Sequence, residues 1–385
     1  MKIVCASSVL HGETAFATLG DVTILPEERI TRNELLDAEV LITRSKTPIT
    51  RALLENTAVR FIGCAVAGTD HVDKTYLDST DIAWCHAPGC NANSVAEYIV
   101  AALLVEADQH GLALEELALG VVGVGHIGTR VAEKAMAMGV TVLQNDPPRK
   151  AAGDDANGTF QPLEDVLAVA DLISMHVPLT DTGPHATRDM ANHRFFEAMK
   201  PGAFFLNAAR GEIMDSDALL TALEHGIVRQ AVLDVWENEP AIRKDVLDAV
   251  DIGTPHIAGY SYEGRLNGTR MVYEELCHYL EVDPVWLDRD MPDDAPQEER
   301  VVDAQCRSDQ ETLAAMVSAA YPILDDDRRF RAGASVDPVA MAKHFVHSRR
   351  TYPARREFAA NRFQLLHASE SLLTMAWELG FQIAE

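Results

Sequence analysis

Several polar residues follow short apolar runs in this chain. His176 follows DLISM, Arg210 comes just past AFFLN, and Asp234 follows QAVL. Glu239 lies five positions beyond Asp234 in DVWENEP, and His256 sits within TPHIAGYSYEG. Runs of this length, separated by helical patterns, read as strands buried in a parallel sheet. In an open α/β sheet, ligands bind beyond the carboxyl ends of the strands. Any one of these residues alone is an ordinary loop residue, but four or five at successive strand ends can share one crevice. The chemistry that uses them is hydride exchange with a 2-hydroxy acid. Oxidising a secondary alcohol requires a base for the O–H proton, and histidine titrates near working pH. A neighbouring carboxylate fixes its tautomer and stabilises the imidazolium. An arginine fork matches the two oxygens of a substrate carboxylate. Arg210, Glu239 and His256 therefore read as anchor, orienter and acid/base.

A second motif supplies the partner for that hydride. Gly123-Val124-Gly125-His126-Ile127-Gly128 lies between the apolar LGVV and an amphipathic helical pattern. In that context the glycines let backbone approach a pyrophosphate, and the helix N-terminus offers N–H donors. Asp146, about 20 residues on, ends the next strand, where an acid binds the ribose hydroxyls and repels a 2′-phosphate. NAD is favoured over NADP. Two alternatives stay open: Arg149 could welcome a 2′-phosphate, and Asp146 could be only a turn residue before Pro147-Pro148.

These groups need a scaffold, and the chain is long enough for two or three domains. It has 385 residues, 47% of them hydrophobic. KIVCA, EVLIT, VRFIGCA and IAWCHA predict a first small parallel α/β sheet within residues 1–86, followed by a long helix from Asn93. LGVVGVG, VTVLQN, DLISMHV, AFFLNAA, QAVLDVW and VDIGTPHI predict a complete doubly wound sheet. Residues 265–281 read as a helix, and the acidic LDRDMPDDAPQEER (287–300) as a linker. The net charge of −26 and the lack of a basic run argue against nucleic acid or a membrane surface as partner. Six dispersed cysteines without a CxxC pair, and no signal-like N-terminus, point to reduced thiols and a cytoplasmic protein. No metal-ligand spacing is present.

GVVGVGHIG, NAARGEIMD, VLDVWENEP and TPHIAGYSYEG are similar to the D-isomer-specific 2-hydroxyacid dehydrogenase family. TRSKT (43–47), AGTDHVD (67–73), APGCNANSVAEYIVAALL (87–104), NDPPR (145–149), HIAGYSYEGRLNGT (256–269) and TYPARREF (351–358) narrow the resemblance to a branch acting on a phosphorylated hydroxy acid. It implies that Arg210, Glu239 and His256 are catalytic. It implies that Asp146 binds ribose, Asp234 lies near the nicotinamide carboxamide, and Val177, Ala208, Ala209 and Gly259 line the cofactor. Arg44, Ser45, Gly68 and Tyr260 would contact substrate. The implied fold is a Rossmann sheet (93–257), a split flavodoxin-like substrate domain (1–92 and 258–285), and a small C-terminal α+β domain (286–385) that makes a homodimer. Ala6-Ser7-Ser8 replaces an acidic stretch usual in that branch, and Val66 and Val177 each replace a threonine. These departures leave the hydride machinery intact. They keep open another substrate of the 2-hydroxy acid class (3-phosphoglycerate, glycerate) and, more remotely, a non-catalytic NAD-sensing role. A phosphate would need cations, for which Arg44, Lys46, Arg265 and Arg328 are candidates.

Overall fold

The computed structural model describes residues 1–155, 158–287, 299–353 and 355–384. Most of the expected linker, residues 288–298, lies outside the described residues. The chain divides into two compact units. One comprises Met1–Ala92 and the segment that begins at Tyr260. The other comprises Asn93–Gly259 and the described residues from Glu299 onward.

The first unit is built on five parallel strands: β1 (Lys2–Ala6), β2 (Asp21–Leu25), β3 (Val40–Thr43), β4 (Phe61–Cys64) and β5 (Ala83–His86). Their order, β2-β1-β3-β4-β5, is the flavodoxin-like arrangement, and the direction of winding reverses between β1 and β3. The helix Tyr262–Tyr279 lies on this sheet. A Cβ on Gly63 would meet Val272 Cγ1 at 2.2 Å, so a bare strand position lets the helix approach. Tyr273, Leu41, Ile42 and Phe61 share the buried core beneath it.

The second unit contains six parallel strands: β6 (Ala118–Val122), β7 (Thr141–Asn145), β8 (Leu172–Met175), β9 (Ala203–Asn207), β10 (Val228–Leu233) and β11 (Ile252–Gly253). Their order is β11-β10-β9-β8-β6-β7, and Phe160 bridges Gln144 in parallel beyond β7. All five residues of β9 and all four of β8 are buried. Unbroken burial is what a parallel strand covered on both faces requires, and it explains why apolar runs mark these strands so clearly.

A third sheet, β12 (Glu299–Asp303), β13 (Arg362–Leu366) and β14 (Gln382–Ala384), is also parallel. Leu313, Phe358 and Phe363 of this C-terminal section join Val95, Ile99 and Ala132 in one continuous core. The doubly wound sheet, the second flavodoxin-like sheet and the small C-terminal sheet are those expected from sequence.

Candidate active site

In the second unit, hydrogen bonds between backbones continue past the strand ends. Gly123 N donates to Asn145 O (2.8 Å), His176 N to Val122 O (2.7 Å), Asp234 N to Asn207 O (3.0 Å) and Thr254 N to Leu233 O (2.9 Å). The residues singled out in the sequence thus stand along one carboxyl edge, on neighbouring strands roughly 4.8 Å apart. His256 and Asp234 lie at one end of the row. Arg210, His176 and Gly123 follow, and Asp146 is at the other end.

The expected histidine–carboxylate pair is formed. His256 Nδ1 lies 2.8 Å from Glu239 Oε2. Burial alone would raise the Glu239 carboxyl. The positive charge and hydrogen bond of His256, with the Trp236 N–H on Oε1 (3.0 Å), outweigh it and hold the group below its ordinary value. Glu239 is therefore an anion, and it fixes the imidazole proton on Nδ1. His256 sits at φ +57°, a conformation that costs a non-glycine residue about 1–3 kcal/mol. Its backbone is held there. His256 N donates to Asp234 O (2.7 Å), and the next two N–H groups, of Ile257 and Ala258, donate to the Asp234 carboxylate at 2.7 and 2.9 Å.

Asp234 is thus a clip for the histidine loop. Thr254 Oγ1 also donates to Asp234 Oδ1 (2.7 Å) and bonds Tyr98 Oη (2.8 Å). Burial pushes the Asp234 carboxyl up, opposed by His256 and by these donors. Three of its acceptor positions serve its own chain. Trp236 adds a crosslink, its indole N–H donating to Thr254 O at 2.8 Å.

Arg210 is set by a turn. Asn207 Nδ2 donates to Arg210 O (3.0 Å), its Oδ1 accepts from Ala209 N (3.0 Å), and the guanidinium reaches Ala209 O (2.7 Å). The next residue brings this turn against the Glu239 loop. A Cβ on Gly211 would lie 1.9 Å from Trp236 O. Only glycine permits that approach, and Trp236 N is itself held by Glu239. Arg210 and the Glu239–His256 pair thereby occupy adjoining loops.

The glycine loop divides its labour as a dinucleotide site demands. Gly123 takes φ +87°, and a Cβ there would meet His176 backbone at 2.8 Å. Gly128 seats the helix His126–Ala137, since its Cβ would strike Gly123 O at 2.0 Å. Gly125 has nothing within 4 Å of its Cβ position, which leaves backbone open to a ligand. His126 and Ile127 form the first helical turn behind it. His176 is buried, pushed down to about 3 by that burial, and bonds Ser174 Oγ at 2.8 Å, so it is a neutral wall. Val177 packs beside Gly123, and Ala208 and Ala209 are buried past β9.

Asp146 is both a turn residue and a loop clamp. It caps the short helix Pro147–Ala151 through Arg149 N (3.0 Å) and accepts from Val124 N in the glycine loop (2.8 Å). Arg149 donates to Val124 O (2.7 Å), covers Phe160 at 5.2 Å and faces Asp154 at 3.4 Å. Its guanidinium is occupied rather than held out for a phosphate. Beside Asp146 lies a cavity of about 750 Å³, lined by Gly123, Pro147, Phe160, Pro178 and Thr187 among others.

In the first unit, Arg44 and Ser45 follow β3, Gly68 follows β4, and Tyr260 carries the Arg44 guanidinium 5.8 Å from its ring centroid. Lys46 is exposed. Arg328 belongs to the second unit, on an exposed helix face where it pairs with Asp325. Sequence reasoning did not assign roles to Thr254, Asn207, Trp236 or Tyr98. All four lie inside quoted motifs, but their work is to hold other residues.

This edge, with a glycine-loop nucleotide site and a histidine–glutamate pair beside an arginine, defines a nicotinamide-dependent dehydrogenase class. Residues 94–258 match the family described as D-isomer specific 2-hydroxyacid dehydrogenase, NAD binding domain, and residues 295–380 match a domain of unknown function (DUF3410). The chain is 43% identical to an erythronate-4-phosphate dehydrogenase of Salinibacter ruber (strain DSM 13855 / M31), over 93% of this chain and 92% of that one. It is 37% identical to the enzyme of that name from Escherichia coli O6:K15:H31 (strain 536 / UPEC), over 99% and 98%. Among solved structures, it resembles the TT0316 protein of Thermus thermophilus (TM-score 0.63, 29% identity, 74% of this chain and 98% of that one). It also resembles the D-lactate dehydrogenase of Aquifex aeolicus solved with NAD and lactic acid (TM-score 0.60, 26% identity, 72% and 95%). The chain belongs to the erythronate-4-phosphate dehydrogenase family, within the D-isomer specific 2-hydroxyacid dehydrogenases.

Proposed function

We propose that this protein oxidises 4-phospho-D-erythronate to 2-oxo-3-hydroxy-4-phosphobutanoate with NAD, in pyridoxine 5′-phosphate biosynthesis. The observation that carries the reading is the 2.8 Å His256–Glu239 pair, on a loop adjoining that of Arg210, on the ligand edge of an NAD-type sheet. The names of relatives matching over nine-tenths of the chain supply the substrate.

Glycines 123, 125 and 128 fit a pyrophosphate, and Asp146 fits the adenosine ribose. Gly259, Val177, Ala208 and Ala209 line the rest, and the fourth acceptor position of Asp234 is the one left for the carboxamide. Bound NAD supplies the acceptor for the hydride on C2. Arg210 grips the substrate carboxylate. His256, its Nδ1–H committed to Glu239, takes the C2 hydroxyl proton on Nε2 as the hydride leaves. Glu239 stabilises the resulting imidazolium. Ser45, Gly68 and Tyr260 are the further substrate contacts in this reading, with Arg44.

A homodimer through the C-terminal section belongs to the same reading. It is supported by exposed apolar side chains there, notably Trp377 and Val301. Six free cysteines, with burial holding Cys5, Cys64 and Cys85 near 12, are consistent with a cytoplasmic protein.

The test is NADH formation with 4-phospho-D-erythronate and with D-erythronate, with a 2-oxo acid present to complete turnover and its 2-hydroxy product quantified. Strong preference for the phosphorylated acid supports the reading. Equal rates, or none with either, overturn it.

A further inference from the structure

The first unit brings two guanidiniums, Arg44 and Arg265, to one corner, where the Glu27 carboxylate acts on Arg265 without pairing with it. Neither Arg44 nor Arg265 forms an ion pair among the described residues. Arg265 Nη2 donates to a backbone oxygen, Ser8 O, at 3.2 Å. The Nε atoms of both arginines, and Ser8 Oγ, are buried without hydrogen-bond partners. Such orphans are rare in folded proteins and each asks for an explanation. Burial, and next the positive charge of Arg44, holds Arg265 below its ordinary value, with Tyr260 and Glu27 opposing. The two cations therefore feel each other.

Their position in the fold is the second observation. Ser8 follows β1 and Arg44 follows β3. These strands pair in parallel, Ile3 against Val40 and Cys5 against Ile42. Winding reverses between them, so they flank the switch-point crevice where an open α/β sheet takes a ligand. Arg265 reaches the same loop from the first turns of the 18-residue helix Tyr262–Tyr279. A cation near a helix N-terminus opposes the helix dipole, which an anion at that place would offset. Thr269 Oγ1, donating to Leu10 O at 2.8 Å, pins the helix to the loop after β1.

We infer that Arg44, Arg265 and the Ser8 hydroxyl form a binding site for a phosphate monoester dianion, the group that distinguishes the proposed substrate from an unphosphorylated 2-hydroxy acid. Two guanidinium forks and a hydroxyl match three tetrahedral oxygens, and two positive charges match a group of about −1.5 to −2. The inference rests on the proposed function and names the residues that select its substrate.

The test compares the intact protein with Arg265→Gln, Arg44→Gln and Ser8→Ala. For each, the KM for 4-phospho-D-erythronate is set against the substrate or inhibition constant for D-erythronate. Each arginine variant should lose roughly 10- to 100-fold of the preference for the phosphorylated acid, through KM more than kcat, the scale of one charged hydrogen-bonded partner. Ser8→Ala, the mildest change, should lose less, and Arg265→Lys should recover part of the loss. Inorganic phosphate should compete with the phosphorylated substrate in the unaltered protein and more weakly in the variants. Unaltered preference in the variants, in a protein that does oxidise the phosphorylated acid, overturns this site alone. Failure of the unaltered protein to use the phosphorylated acid overturns the proposed function instead. If Arg265→Gln does not fold, Ser8→Ala and Arg44→Gln decide the matter.

Discussion

Gly211→Ala tests whether the contact between two loops is what places Arg210. The added Cβ would lie 1.9 Å from Trp236 O and 2.0 Å from its carbonyl carbon. Ordinary van der Waals contact begins at 3.4 Å, so the two backbones must part by about 1.5 Å. Neither obstacle is the end of a flexible side chain, and no rotamer change relieves the clash. Overpacking of this kind costs roughly 1–3 kcal/mol, which lowers the melting temperature by several degrees without unfolding the chain. The larger effect is on rate. Arg210 moves away from the loop that carries Glu239, and a misplacement of about 1 Å costs on the order of 10²-fold in turnover. The assay is steady-state kcat and KM with 4-phospho-D-erythronate, together with NADH binding by fluorescence and thermal melting. Turnover should fall about 100-fold, NADH affinity should change little, and melting should drop modestly. If melting falls but turnover stays within about threefold of the parent, the chain relaxes elsewhere and this contact does not position Arg210.

Other expectations follow from the same geometry. His256→Ala should lower kcat by roughly 10²–10⁴-fold while NAD affinity holds, and near-native turnover would remove His256 from its assigned role. Asp146→Ala should raise the use of NADP relative to NAD; an unchanged ratio of kcat/KM values would mean that its two backbone hydrogen bonds are its whole work. Gly125→Ala meets no protein atom, so it should weaken NADH binding measured by fluorescence while leaving the melting temperature unmoved. Glu106 is held up to about 8, by burial first and then by Asp251, and neither carboxylate oxygen has a hydrogen-bond partner. A raised acid binds its proton more tightly in the folded state. Its contribution is whole below the ordinary value of 4.5 and is lost as pH rises toward about 8. Denaturant midpoints should therefore fall across that window, and Glu106→Gln should flatten the decline.

How much of this was legible in the sequence depends on what each residue answers to. β8, β9 and β10 were plain because strands covered on both faces become unbroken apolar runs. β2 was not. DVTIL lies at the edge of its sheet, begins with an exposed aspartate and has no fully buried residue, so its sequence carries no run. β12 hides for the same reason, with exposure alternating along ERVVD. The glycines separate in the same way. Gly123, Gly125 and Gly128 belong to one turn and the helix start it leads into, and their spacing records it. Gly211 answers to the carbonyl of Trp236, 25 positions further on, and nothing near Gly211 in the sequence points there.

Asp234 marks the deeper limit. Its type and place suggest a group facing a cofactor, and its carboxylate also accepts from Thr254, Ile257 and Ala258 of its own chain. A residue that touches ligand and one that aims the residue touching ligand occupy the same strand end and can be the same amino acid. Only the third coordinate separates them. The strained backbone of His256 explains why so many groups are given over to aiming. A histidine at φ +57° stays there only if its surroundings hold it, and Asp234, Thr254, Trp236 and Tyr98 do so through successive hydrogen bonds. Arg355 extends that support into the C-terminal section. It is buried over the Tyr321 ring at 4.2 Å and donates to both Ser94 O and Ala258 O. The C-terminal residues are therefore part of what positions the histidine loop, because one of their side chains holds the residue two places after His256.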